Sequence, residues 1–153
     1  MRTFKSLDGH AASLYRAVLG LLFACHGAAT LFGVFGGAFG SGGTISALHW
    51  PDGTAALIEL VGGALVLIGL ATRPVAVLCS GVMAYAYFTV HVTHGLFPIE
   101  NGGELAALFC WGFLMVAIIG PGPLSLDAVI GRVRGAGALP DRTGALRTEA
   151  QES

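Results

Sequence analysis

Two histidines and two carboxylates set in otherwise apolar sequence are the residues best equipped to do chemistry: His26, Glu59, His91 and Glu104. Each lies in or at the edge of a long apolar run. An ionisable side chain in such a run is expensive unless it faces a protein interior or water. Histidine titrates near neutral pH and can pass protons, so a His and a Glu in a membrane cleft could serve a quinone. Imidazole and carboxylate also suit a divalent transition metal. The same four groups would equally satisfy one another in a hydrogen-bond network that only fixes helix orientation. Residue type alone leaves these readings open. His94 follows His91 at i+3 and could share its helix face, or fall on a frayed helix end. The chain holds no C-x-x-C and no G-x-x-x-x-G-K-[ST] phosphate loop. Cys25, Cys79 and Cys110 stand far apart in apolar stretches and read as small buried hydrophobes.

The elements that must position these groups are themselves apolar. Of 153 residues, 54% are hydrophobic and 11% charged, against roughly a quarter charged in ordinary soluble domains. A soluble fold this small could not hide so much apolar surface, which makes lipid its natural solvent. Four stretches approach the roughly 20 residues that cross a bilayer core. They run from about Leu14 to Phe35, Thr54 to Ala71, Pro74 to Val92 and Glu104 to Gly120. The expected fold is all-α, a bundle of four transmembrane helices over residues 14–134. A cytoplasmic N-terminus (1–13) precedes it and a disordered, polar cytoplasmic tail (135–153) follows. Leu124 to Val133 reads as a short interfacial helix. The connections carry breaker chemistry in Gly36 to Gly53, Thr72-Arg73-Pro74 and Thr93 to Gly103. Leu22-Phe23-Ala24-Cys25 loosely resembles a lipoprotein cleavage box, but apolar sequence continues past it, so the first segment reads as a span.

The basic residues give the orientation. Arg2, Lys5 and Arg16 open the first span, Arg73 lies in the second connection, and Arg132, Arg134, Arg142 and Arg147 follow the fourth. All eight therefore share one face of a four-span chain, and the positive-inside rule makes it the cytoplasm of a bacterial plasma membrane. A net charge of −1 gives no footprint for nucleic acid. In this topology His26, Glu59, His91 and Glu104 all fall in the outer half of the bundle, and a pocket open to the extracytoplasmic side is expected. Trp50 and Tyr15 suit interfacial anchoring, while Tyr85, Tyr87 and Phe88 read as packing or lipid-facing side chains.

Several segments together resemble the DoxX family of small bacterial membrane proteins over roughly Arg16 to Ile130. They are Arg16 to Gly20 leading to His26-Gly27, Leu31-Phe32-Gly33, Glu59 to Leu65, and Leu67 to Arg73. His91, Asn101-Gly102-Gly103-Glu104, Gly120-Pro121-Gly122 and Ser125-Leu126-Asp127 complete the pattern. The sequence departs from it at Thr30, where family members often carry Lys. The resemblance implies similarity to subunits of thiosulfate:quinone oxidoreductase and association with redox partners at the membrane. It also implies a four-helix fold like that of the vitamin K epoxide reductase group, without that group's dithiol. On this reading His26 and Glu59 relay protons, and His91 and Glu104 hold the ligand. Arg73 is structural, clasping the cytoplasmic turn and pairing with Asp127. The rival expectation is a non-catalytic anchor that recruits soluble partners through its Arg-bearing tail. A small transporter fits less well, because no span has a mid-helix Pro break.

Overall fold

The computed structural model describes residues 2–136, with side chains from Leu7 onward. The expected polar tail beyond Ala136, with Arg142 and Arg147, lies outside the described residues. Among the described residues six α-helices follow one another: α1 (Arg2–Phe32), α2 (Asp52–Ile68), α3 (Thr72–Ala86), α4 (Pro98–Asn101), α5 (Glu104–Ile119) and α6 (Leu126–Ala136). No strand occurs among the described residues, so the chain is all-α. Residues 7–32, and α3 with its extension to His94, are long and apolar enough to cross a membrane.

Local chemistry explains where the helices depart from the apolar runs. α1 begins twelve residues before Leu14 because the polar stretch ahead of it holds one Gly and no Pro, so nothing breaks the helix. It stops at Phe32 rather than Phe35, since Gly33 adopts φ 72°. α2 ends at Ile68, where Gly69 (φ 72°) turns the chain. The N–H groups of Gly69 and Leu70 donate back to Val66 and Leu65 carbonyls at 3.1 and 3.0 Å, a Schellman closure. α3 does not run as plain α-helix to Val92. It changes at Tyr87 into a π-helical turn, Tyr87–His91, followed by a 3₁₀ turn, Val92–His94.

α1 and α2 pack with their backbones in contact. A Cβ built on Gly63 would lie 2.5 Å from the Ala24 nitrogen and 2.7 Å from the Gly20 carbonyl oxygen. Only glycine permits that approach. α3 packs on α5, where the Ser80 hydroxyl donates to the Cys110 carbonyl at 2.9 Å. Between the helices Phe23, Val66, Cys79, Met83, Phe113 and Val116 form the buried core. Phe23 meets Phe113 edge-on at 4.6 Å between centroids. The opposite faces stay apolar and exposed, with Leu21, Leu22, Val77, Leu108, Trp111 and Ile118 among them, as a lipid-facing surface requires.

One end of the bundle is tied by Arg16, which is only 2% exposed. Its guanidinium donates to the carbonyls of Val66, Leu67 (2.6 Å), Pro121 (2.9 Å) and Leu124 (2.6 Å). A planar fork with five donors can serve such a ring of acceptors, and a cation at the C-terminus of α2 also suits that helix's dipole. Arg16 is thus an internal clasp rather than a flanking charge. Arg73 donates to the Ala117 carbonyl at 3.2 Å. Asp127 is engaged elsewhere: its two oxygens accept the Ala71 and Thr72 N–H groups, both at 2.8 Å, and cap α3. The expected Arg73–Asp127 pair is replaced by these backbone bonds.

Candidate functional site

At the end away from Arg16, a cavity of about 520 Å³ opens between the helices. α2 contributes Asp52, Ala55, Ala56 and Glu59 to it, an i, i+3, i+4, i+7 set that lies along one helix face. α1 brings His26 and Thr30, and the π-helical turn brings Val90 and His91. Ala106 and Phe109 of α5 close the far side. Alanines at positions 29, 55, 56 and 106 leave the space that larger side chains would fill. His26, Glu59 and His91 therefore line one cavity, reached from three different segments.

Each polar group has a distinct setting. The His26 ring stands edge-on to Phe109, 5.6 Å between centroids at 86°. His91 Nδ1 lies 3.2 Å from the Asn101 carbonyl oxygen. A carbonyl can only accept, so Nδ1 is the donor in this contact, and Nε2 is an acceptor in the neutral ring. Tyr87 stacks beside His91 at 6.3 Å, and its hydroxyl donates to the Leu96 carbonyl at 2.9 Å. The buried Asn101 side chain holds this corner together. It donates to the Gly95 carbonyl at 2.7 Å and accepts the Gly103 N–H at 2.8 Å. The π-helical turn adds a residue to the helix, a device found mostly at functional sites. His94 does not join His91: it is exposed, with Nδ1 3.0 Å from the Val90 carbonyl oxygen.

Glu104 is exposed as the first residue of α5 and stands outside the cavity lining, which takes Leu105, Ala106 and Phe109 instead. Its carboxylate suits the helix N-terminus. Asp52, expected only as part of a connection, opens α2 and lines the cavity. Its seven-residue spacing from Glu59 was the available signal. Above the helices Phe35 and Phe39 also line the cavity. Both adopt left-handed backbone, φ 53° and 52°, each just before a glycine, a conformation that costs about 1–3 kcal/mol in a non-glycine residue. Among the described residues no three His, Cys, Asp or Glu side chains group closely enough to hold a metal ion.

At the other end Asp127 is held below the usual carboxylate range. Partial burial alone would push its carboxyl up, but the N–H groups of Thr72 and Ala71 and the positive field of Arg16 outweigh it.

The family model described as DoxX matches residues 11–92. The chain belongs to the DoxX family. His26, Asp52, Glu59 and His91 of this DoxX protein all fall within the matched stretch, which stops short of Glu104 and Asp127. The likeness read from the sequence ran further, to Ile130. The chain is 34% identical over 119 residues to a Bacillus subtilis protein whose name labels it an oxidoreductase, CatD, covering 76% of this chain and 84% of that one. It is 47% identical over 76 residues to an uncharacterised protein of Haemophilus influenzae. That match takes in 48% of this chain and 57% of the relative, less than two thirds of its length. No solved structure matches the chain. Family and apolar helices together make this a membrane protein.

Proposed function

We propose that this DoxX protein is a four-span subunit of a membrane-associated redox system, with both termini cytoplasmic and an outer cavity that receives a quinone ring. The observation that carries the reading is the convergence of His26, Glu59 and His91 on one cavity. Its position supports the orientation. His26 lies ten residues beyond Arg16 on α1, about 15 Å along the helix axis, and Arg73 joins Arg16 at the far end of the bundle. The bilayer surrounds the apolar outer faces.

In this reading the cavity would hold a quinone ring, which would supply a two-electron acceptor for a redox-protein partner. Glu59 and His26, on adjoining helices, move protons between the outer opening and the ring oxygens. His91 offers Nε2 as a hydrogen-bond acceptor to a ring hydroxyl, its tautomer fixed by the Asn101 carbonyl. Asp52 at the mouth keeps the entrance polar. The name of the Bacillus relative is consistent with redox work.

Purifying the protein in mild detergent and extracting its bound small molecules for mass spectrometry tests the proposal. Near-stoichiometric quinone, lost in a folded Glu59→Leu variant, is the expected result. Quinone no more enriched than in control membranes would overturn it and favour the anchor reading, in which the polar groups only orient helices.

A further inference from the structure

A second space lies on the other side of the α2–α3 contact. This groove of about 410 Å³ is lined by Ile58 on α2 and by Val77, Leu78, Gly81 and Tyr85 on α3, with Trp50 at its rim. Val77 and Leu78 are more than half exposed, so the groove faces the surface that lipid would cover. Trp50 and Tyr85 meet there, 6.4 Å between ring centroids. Its few polar residues, Asp52, Thr54 and Thr89, belong to the same end as the cavity.

Four residues line both spaces: Asp52 and Ala55 from α2, Ala86 at the end of α3 and Val90 from the π-helical turn. Two of these are alanines, and Ala86 is where α3 gives way to the π-helical turn. The partition between polar cavity and apolar groove is therefore thin and built of small side chains at a point where the helix geometry changes. An apolar groove alone would carry little meaning in a membrane, since lipid tails already solvate an apolar chain as well as protein does. A groove that adjoins a polar cavity through such a partition is different. It gives one amphiphile room for its head on one side and its tail on the other.

Building on the quinone reading, we infer that the ligand carries a long apolar tail, and that this tail leaves the cavity between α2 and α3 and lies in the Ile58–Gly81 groove. The groove acts as a lateral portal, so the ligand reaches His26 and Glu59 from the bilayer. Its role is steric rather than adhesive. Filling it should exclude a tailed ring while leaving a tailless ring free to enter the cavity.

Gly81 offers a clean test, because a Cβ there meets nothing within 4 Å, and Phe forms helix better than Gly. The full-length protein in phosphatidylcholine nanodiscs is titrated with a decyl-substituted benzoquinone and with the same ring bearing only a methyl. Quenching of Trp50 is read after Trp111→Phe removes the distant indole. Gly81→Phe is expected to weaken the decyl quinone at least tenfold and the methyl quinone less than twofold. Gly131→Phe, another site with open space around its Cβ, serves as the control and should change neither. If Gly81→Phe leaves both affinities unchanged, the groove holds ordinary lipid and the inference fails while the quinone cavity stands. Equal loss of both rings would make Gly81 part of the head site and also overturns the division. If neither ring binds the parent protein, the quinone reading itself falls.

Discussion

Replacing Arg16 with Met removes the guanidinium but keeps a long apolar stem in its place. Four carbonyls then lose the guanidinium, Val66 and Leu67 at the end of α2 and Pro121 and Leu124 beyond α5, and Val66 keeps only the Gly69 N–H. Hydrogen bonds from a charged donor contribute about 1.5–3 kcal/mol each. They do not sum here, because burying the guanidinium has its own desolvation cost. A buried acceptor left without a partner costs about 1–3 kcal/mol, and Arg16 is only 2% exposed, so water does not readily take the place of its guanidinium. A loss of about 3 kcal/mol corresponds to roughly two powers of ten in the folded-to-unfolded ratio. Arg73→Met removes the same formal charge from the same end but only one bond, at 3.2 Å and exposed, so its cost should stay within about 1 kcal/mol. Arg16→Lys should fall between, since three donors on one nitrogen cannot span the acceptor ring. The assay is reversible unfolding in mixed micelles followed by intrinsic tryptophan fluorescence. Equal stability of Arg16→Met and Arg73→Met would refute the clasp and return Arg16 to the role of a flanking charge.

Asp127→Asn should cost about 1 kcal/mol through loss of the charged cap on α3. Because the folded carboxyl sits below its ordinary value, this stabilisation is complete above the unfolded carboxylate range and lost as pH falls through the folded value. Unfolding curves of parent and variant should therefore converge only in acid. Gly63→Ala should destabilise by about 1–3 kcal/mol, since its Cβ would press on the α1 backbone at Gly20 and Ala24; a thermal shift within a degree of the parent would contradict the close approach. For topology, a cysteine at Leu48, 90% exposed in the first connection, should react with an impermeant maleimide added outside intact cells. One at Val133 on α6 should react only after permeabilisation, in a background lacking Cys25, Cys79 and Cys110.

The helices and the family were legible because apolar runs and segment order are one-dimensional signals. Side-chain direction was not. Counting turns put Glu104 at the outer end of its helix, but the cavity takes the face bearing Leu105, Ala106 and Phe109, roughly 150° further round the helix. The π-helical turn that carries His91 has no compositional marker, and it also sends His94 away from its neighbour. Arg16 read only as a basic residue opening the first span because its acceptors are 50 to 108 residues away in sequence and are backbone atoms, which leave no pattern. Asp127 was expected to pair with Arg73, yet its partners are N–H groups, backbone atoms that leave no pattern in the sequence.

The Arg16 clasp also bears on how the molecule is made. Arg16 enters the membrane with the first helix, whereas its last two acceptors, Pro121 and Leu124, are synthesised more than a hundred residues later. Until then the guanidinium has only the Val66 and Leu67 carbonyls, and part of it must stay hydrated at the membrane edge. A nascent or truncated chain thus keeps a conspicuous, half-satisfied cation, and the arrival of residues 121–124 hides it.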